Sequence, residues 1–463
     1  MLTVVIGGGI SGLTCAYDLR SRGVPVLLLE ATGRPGGVIQ SVRQDGFLFE
    51  LGPQSVLSSD SLLTLTSRLR LDDALLKADP RAPRYVCLGG RLHLVPMAPP
   101  GLFSTSLLGF SSKMRLLSEP FRRTTPTESD ESVADFVRRK FGSELLEHLV
   151  GPFVSGVYAG DPEKLSLRSA FPALHEFEKQ YGSVIRGAMK SRPPKDKPRP
   201  TLCDFREGLE TLVTAMCDHL GDSLRTGVSV ESIRRGKTNG SSHFEIQARS
   251  NGTVETIIAD ALVMATPART AAHILTGLSV KCGEILKRIE YAAVAVVSTG
   301  YRREQVGHPL TGFGFLVPRK EGRRQLGTVW SSSLFPGRAP EGMVSLATFV
   351  GGATDPNLFE LSDEQIAATV EAENTQILQI SGVPVARRVD RWTHAIPQYN
   401  LGHADVLRRL REELARFPGL FLTGSYFDGP AVPACIDHAL RTAAAVHESA
   451  SSALPGAAKG AAR

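Results

Sequence analysis

Gly7, Gly9 and Gly12 stand at the spacing G-x-G-x-x-G directly behind Val4-Val5-Ile6, and Glu30 follows Gly12 by eighteen residues. This set can bind a dinucleotide. The first glycine permits a tight strand-to-helix turn, the second lets a pyrophosphate reach the backbone, and the third lets the helix close on the strand. A helix opening there presents unpaired N–H groups and the positive end of its dipole to phosphate. Glu30 ends a second apolar run, Val26-Leu27-Leu28-Leu29, where a carboxylate accepts ribose hydroxyls. The glycine pattern alone is a weak signal, and a glycine-rich turn without a ligand is its alternative. The strand before it, the helical pattern after it and the acid at the right distance favour a nucleotide.

The next residues bear on which nucleotide. Ala31-Thr32-Gly33-Arg34-Pro35-Gly36-Gly37-Val38 precedes Asp45-Gly46 and Phe49-Glu50-Leu51-Gly52-Pro53. An NAD domain runs from its acid into another helix, whereas a second glycine pair beside an arginine suits a chain wrapped around a longer, enclosed ligand. Far downstream, Gly419-Leu-Phe-Leu-Thr-Gly424-Ser425-Tyr-Phe-Asp-Gly429-Pro430-Ala431-Val432 reads as a strand and a glycine turn, with a helix from about Ala434. That supplies a second helix N-terminus for the same ligand.

Other elements must carry these groups. The chain has 463 residues, 42 % apolar and 22 % charged, which describes a globular protein of two or three domains. Lys and Arg number 53 against 47 for Asp and Glu, without a basic block. The lack of such a block excludes a nucleic-acid arm, and the thin excess favours anionic small molecules or an anionic membrane surface. The six cysteines (Cys15, Cys87, Cys203, Cys217, Cys282 and Cys435) have neither C-x-x-C nor metal-ligand spacing, so reduced thiols and no metal are expected. No signal or transit peptide is read ahead of the first strand, and no apolar run suffices to span a bilayer.

Periodicity predicts a helix over 132–150 with Ser132 as N-cap, a proline-rich loop over 191–200, and a helix from Gly208. It predicts a strand at Val228, a hairpin-like pair over 244–248 and 256–260, and a buried strand over 261–265. Strands at 291–300, 311–318, 326–331 and 343–350 would build a mixed sheet. The tail 450–463 reads as disordered. Residues 94–121 are apolar with almost no acid, and Lys113, Arg115, Arg122 and Arg123 follow the apolar run. Such a segment either lies on a membrane surface or forms a channel wall packed within its domain, and both readings stand.

The glycine turns resemble the flavin-containing amine oxidase superfamily, and more particular segments resemble its protoporphyrinogen oxidase family. These are Ser155-Gly156-Val-Tyr-Ala-Gly160-Asp161-Pro-Glu-Lys-Leu165-Ser166, Gly312–Pro318, and Trp392-Thr-His-Ala-Ile-Pro397-Gln398-Tyr399-Asn-Leu-Gly402-His403. The resemblance covers essentially the whole chain. It implies an α/β fold with a Rossmann-like FAD-binding domain of the amine oxidase/GDI-like type, a mixed-sheet substrate domain and a helical membrane-associating insertion. The FAD domain would comprise 1–75, 204–272 and 417–449, and the substrate domain 76–97 and 273–416. The insertion would be 98–190, with 191–203 as linker.

Non-covalent FAD is the implied cofactor, with attachment through Cys435 as the alternative. Its contacts would be Gly7, Gly8, Gly9, Ile10, Ser11, Gly12, Glu30, Ala31, Arg34, Gly36, Gly37, Val38, Gly52, Pro53, Gln54, Ser55, Val228, Gly424, Ser425, Pro430, Ala431 and Val432. Within that set, Arg34 would lie near the pyrophosphate and Val228 near the adenine. Some relatives carry arginine where Gln54 stands, so any role for a cation at that point is absent here or moved elsewhere.

The implied reaction is six-electron oxidation of protoporphyrinogen IX to protoporphyrin IX in haem biosynthesis, with O2 reduced to H2O2. Flavin N5 would accept hydride, and no protein acid or base is assigned; His394 and His403 are read as structural. Arg84 would pair with a propionate, Leu316, Val329 and Phe349 would flank the macrocycle, and the Gly156 carbonyl would approach the pyrrole N–H groups. The implied location is cytoplasmic, peripheral to the inner face of the cell membrane. Contact with membrane lipid is expected and nucleic acid is not, while a homodimer and ferrochelatase stay open as partners. Coproporphyrinogen III oxidation is the nearest rival. An amine oxidase, a carotenoid desaturase and a non-enzymatic prenyl-protein chaperone of the same fold are the others; the only hint of an amine-oxidase aromatic pair is Tyr426-Phe427.

Overall fold

The first strand, Thr3–Ile6, lies at the centre of a five-stranded parallel sheet because each of its residues is buried and none is charged. The computed structural model describes residues 2–96, 101–122, 124, 129–191, 200–238 and 241–452. In that sheet the order is Leu224–Arg225, Val26–Leu29, Thr3–Ile6, Ala261–Met264, Leu420–Leu422. Five segments far apart in sequence therefore share one nucleotide-binding scaffold.

Helices Ile10–Ser21, Glu210–Leu220 and Val432–Ser452 cover one face through Leu13, Leu19, Leu212, Met216, Ile436 and Ala439. The other face carries the antiparallel strands Val228–Thr238, Ser241–Ser250 and Thr253–Ala259, with helices Ala268–Leu275, Val280–Lys287 and His403–Leu414. The helices at 280–287 and 403–414, which the expected boundaries give to the substrate domain, thus pack with the nucleotide sheet. Each fully buried valine or leucine there contributes about 1.5–3 kcal/mol.

A second, seven-stranded sheet runs Ala386–Pro397, Tyr291–Arg302, Met343–Gly351, Gln325–Val329, Gly314–Leu316, Arg84–Leu88, Arg91–Leu94. Only the pair Gly314–Leu316 with Arg84–Leu88 is parallel. One face packs under the helix Asp363–Leu378 through Val297, Val350, Ile366 and Val370. The sheet is mixed, as expected, but three of its strands are absent from the sequence reading. Arg84–Leu88 and Arg91–Leu94 are short, and Ala386–Pro397 carries Arg387, Arg388, Asp390 and Arg391, which hide its alternation.

The helical region departs further from expectation. The single helix over 132–150 breaks at Gly142, whose φ of +97° no helix allows. It divides into Val133–Lys140, Ser143–Leu145, a π-helical turn Leu146–Val150, and Gly151–Tyr158. Ser132 does cap the first piece, its hydroxyl accepting the Asp135 N–H at 3.0 Å. Beneath these helices Lys140 is buried between Glu119 and Glu178, and Arg139 bridges Glu131 and Glu178. Burial pushes the Glu178 carboxyl up, but hydrogen bonds from Arg139, Thr124 and Lys140 outweigh it and hold the group at about 2.

Smaller corrections concern ends. The helix expected from Gly208 opens at Glu210, because Gly208 turns with φ of +93° beneath Ser41 and Glu50. The last helix starts at Val432, not Ala434, and runs to Ser452, so 450–452 are helical. Most of the 191–200 loop and residues 453–463 lie outside the described residues.

Candidate active site

The G-x-G-x-x-G turn is built as the residue types require. A Cβ on Gly12 would fall 1.9 Å from the Gly7 carbonyl oxygen, so only glycine lets the helix close on the strand. A Cβ on Gly9 would meet nothing within 4 Å. Protein packing therefore does not demand that glycine, and the space it opens lies over the helix N-terminus. The first intrahelical bond runs from Leu13 N–H to the Gly9 carbonyl at 2.9 Å, leaving the N–H groups of Ile10, Ser11 and Gly12 without helical partners. These features fit a pyrophosphate.

Glu30 is tied to the same turn. Its carboxylate accepts Gly8 N–H at 2.7 Å and Thr32 N–H at 2.8 Å, with the Thr32 hydroxyl at 2.7 Å. Of about four acceptor positions on a carboxylate, roughly one is left for a ribose hydroxyl. Val228 N–H donates to the Glu30 carbonyl, which places Val228 beside Ala31 and the end of that strand.

The second glycine pair docks on the first: Gly36 N–H donates to the Gly8 carbonyl at 2.7 Å, and Gly9 and Gly36 form a parallel bridge. Arg34 is the staple of this loop. Its guanidinium donates to the carbonyls of Gly37 (2.6 Å), Pro35 and Ile39 and pairs with Glu210 at 3.1 Å. Glu210 was not singled out from sequence, where nothing marks it. Val38 is partly exposed at 39 %, and its carbonyl would lie 2.1 Å from a Cβ on Gly52. Gln54 is buried and folds back, its amide donating to the Glu50 and Gly52 carbonyls and accepting from Ser331. Pro53 and Ser55 flank it.

The distant turn arrives at the same place. Gly424 and Gly429 take φ of +154° and +136°, and Ser425 lies between them. Pro430 and Ala431 then lead into the helix from Val432, whose first turn packs beside the Ile10–Ser21 helix. Cys435 is buried, its thiol donating to the Gly429 carbonyl at 3.8 Å, and burial pushes that thiol up to about 11. A protonated, enclosed thiol favours the non-covalent cofactor.

The other candidates meet on one face of the seven-stranded sheet. Gly314 is paired with Arg84 on one side and Val329 on the other, and Val329 with Ala347. Two residues along, Leu316 is paired with Val86 and Gly327, and Gly327 with Phe349. With a strand period of two, Arg84, Leu316, Val329 and Phe349 all point to the same side. The missing side chain of Gly327 leaves a gap between Leu316 and Phe349. Gly156 closes on this face from the helix Gly151–Tyr158. A Cβ there would lie 2.6 Å from a Leu316 methyl. Its carbonyl is among the last four of the helix, which lack onward helical partners. Phe153 and Val157, a turn apart on that helix, are 48 % and 42 % exposed.

At the edge of this apolar wall Arg84 is exposed, with its guanidinium 5.5 Å from the Phe313 ring. Among the described residues it has no acidic partner. The two motif histidines contact other protein groups. His403 donates to the Tyr426 carbonyl at 2.9 Å and burial pushes its imidazole down, so it stays neutral. His394 accepts from Arg269 at 3.4 Å. Tyr426 and Phe427 are buried in the core of the nucleotide sheet, so they do not form an aromatic pair facing a ligand. No cluster of metal-ligating residues exists among the described residues.

A model of flavin containing amine oxidoreductases matches residues 10–447. Protoporphyrinogen oxidase 1 of spinach chloroplasts (Spinacia oleracea) is 36 % identical, covering 96 % of this chain and 83 % of its own. Coproporphyrinogen III oxidase of Bacillus subtilis is 32 % identical, covering 94 % of this chain and 95 % of its own. The crystal structure of a candidate protoporphyrinogen oxidase from Exiguobacterium superposes with a TM-score of 0.82 at 25 % identity, over 96 % of this chain and 98 % of that one.

Proposed function

The chain belongs to the flavin containing amine oxidoreductase family, and on that premise we propose that it oxidises protoporphyrinogen IX to protoporphyrin IX in haem biosynthesis. It is an FAD-dependent oxidoreductase. The observation that carries the substrate assignment is the wall of Leu316, Val329 and Phe349 with Arg84 at its edge. A puckered apolar macrocycle with propionates needs a flat apolar slot and a cation at its mouth. Bound FAD supplies the hydride acceptor for each two-electron step, and O2 is the proposed terminal oxidant.

The protein's part is to bind, orient and exclude water. Ile10, Ser11 and Gly12 N–H groups, with the second helix N-terminus at Val432, would hold the pyrophosphate, and Glu30 a ribose. Arg34 and Glu210 keep the Gly36-Gly37 loop closed against the first glycine turn. Arg84 would hold a propionate as a bidentate guanidinium does. Gly156, by lacking a side chain, lets the helix Gly151–Tyr158 lie against the wall and would offer its carbonyl to pyrrole N–H groups. No side-chain acid or base is assigned to proton removal.

The helical lobe supports peripheral membrane contact. Phe110, Met114 and Leu117, spaced four and three apart, share one face of the helix Phe110–Ser118 and are 79 %, 47 % and 42 % exposed, and Phe121, at the end of the 3-10 turn that follows, is 80 % exposed. Lys113 and Arg122 lie beside them. Such a face suits the interface of an anionic bilayer, from which a lipophilic substrate enters. Among the described residues no helix is long and apolar enough to cross a membrane.

Coproporphyrinogen III is the second reading, supported by the Bacillus relative's name. Anaerobic mixing of the purified protein with each porphyrinogen, followed by admission of air, tests both. Flavin bleaching and then porphyrin fluorescence with protoporphyrinogen is expected. A large preference for the four-propionate substrate would replace the first reading by the second.

A further inference from the structure

The segment Gln398–His403 joins the strand Ala386–Pro397 to the helix His403–Leu414, yet its contacts reach in two other directions. Toward the cofactor turn, the Tyr399 hydroxyl donates to the Ser425 carbonyl and accepts the Gly429 N–H, both at 2.7 Å. The ring is 1 % exposed and stacks on His403 at 4.3 Å, and His403 in turn holds the Tyr426 carbonyl. Toward the helical lobe, the Tyr399 carbonyl accepts the Ser166 N–H at 2.8 Å. Gln398 donates to the Tyr158 carbonyl at 2.9 Å. One hydroxyl therefore clasps both ends of the turn from Ser425 to Gly429, and its own backbone is fastened to the lobe that carries Gly156.

We propose that Tyr399 is a positioning residue for the cofactor, and that it couples cofactor binding to ordering of the 158–166 segment. The inference rests on the cofactor reading above. The turn 424–429 has two glycines at positive φ and owes its shape to outside hydrogen bonds. Loss of the hydroxyl leaves a carbonyl and an N–H unpaired in a part-buried site. The helix N-terminus at Val432 then loses its fixed aim at the pyrophosphate, and the backbone link passes that disorder to the lobe.

The test compares Tyr399→Phe with Tyr158→Phe. Tyr158 lies 5.9 Å from Tyr399 and donates one buried hydrogen bond to the Ala170 carbonyl, away from the turn. FAD content, FAD affinity by flavin fluorescence, and the visible flavin spectrum are measured on the full chain. Tyr399→Phe is expected to weaken FAD by about tenfold, the effect of two neutral hydrogen bonds, and to shift the flavin bands. Tyr158→Phe, which leaves the 424–429 turn clasped, is expected to weaken FAD clearly less and to leave the flavin bands in place. Affinity within twofold of the parent, or an equal loss in both variants, overturns the assignment. Hydrogen–deuterium exchange of the unmodified protein with and without FAD is the second measurement. FAD should slow exchange at 158–166 as well as at 424–435, and slowing confined to 424–435 overturns the coupling. A parent that takes up no FAD would instead overturn the cofactor reading itself.

Discussion

Arg84 and Glu50 carry the sharpest predictions at the scale of single residues. Arg84 sits at the edge of the apolar wall with only an aromatic ring beside it. Arg84→Ala should raise the KM for porphyrinogen by about tenfold, the value of one charge-assisted hydrogen bond at a partly exposed site, and leave kcat nearly unchanged. Steady-state kinetics check this; an unaltered KM removes Arg84 from the site. Glu50 is a buried acid behind the flavin-side loop. Burial, then the nearby Asp204, push its carboxyl up to about 8, against hydrogen bonds from Leu209 N–H and the Ser41 hydroxyl and the charge of Arg338. In the unfolded chain it ionises near 4.3, so between about pH 4.3 and 8 the folded protein binds the extra proton. Stability from this group is therefore fully present at low pH and falls as pH rises through that window. Glu50→Gln should gain on the parent by at most about 1.4 kcal/mol per pH unit there. Thermal unfolding at pH 5 and pH 8 measures it, and an equal difference at both pH values would count against a neutral Glu50.

At the scale of elements, the exposed apolar side chains of Phe110, Met114, Leu117 and Phe121 predict a separable property. Phe110→Ser with Phe121→Ser should reduce sedimentation with anionic phospholipid vesicles several-fold, while activity on detergent-dispersed substrate stays close to the parent's. Equal vesicle binding would leave the face without a membrane role. The elements also differ in how far sequence discloses them. The first strand, glycine turn and helix are contiguous, and each glycine has a local reason, so Gly7–Gly12 and Glu30 can be read directly. The wall cannot. Arg84 joins it only because Arg84–Leu88 pairs in parallel with Gly314–Leu316, more than two hundred residues away, and no local pattern encodes that register. Tyr399 and His403 are conspicuous in sequence, but their purpose appears only once Ser425 and Tyr426 lie against them. The break at Gly142 escaped because the apolar period continues across it, and a positive φ leaves no periodic trace. Glu210 gives no signal at all, since an acid in the first turn of a helix is ordinary.

At the scale of the molecule, the buried pair of Arg338 and Asp204 fastens the loop between two strands of the larger sheet to Leu202–Phe205, beside the nucleotide core. Arg338 also donates to the Phe205 and Arg206 carbonyls. Arg338→Met should destabilise by about 3–5 kcal/mol by leaving Asp204 buried and unpaired, and adding Asp204→Leu should recover much of that. Chemical denaturation of the single and double variants decides; no recovery would mean that the carbonyl contacts, not the ion pair, matter. The strand order of the parallel sheet has a different consequence, for synthesis. The glycine turn at residues 7–12 leaves the ribosome about 400 residues before the strand Leu420–Leu422 and the helix from Val432. At typical rates of elongation the glycine turn waits roughly 20–90 s for these partners. Throughout that interval the apolar strands of the nucleotide scaffold have no complete sheet to join. The protein should therefore gain its cofactor only after the segment 420–435 has emerged.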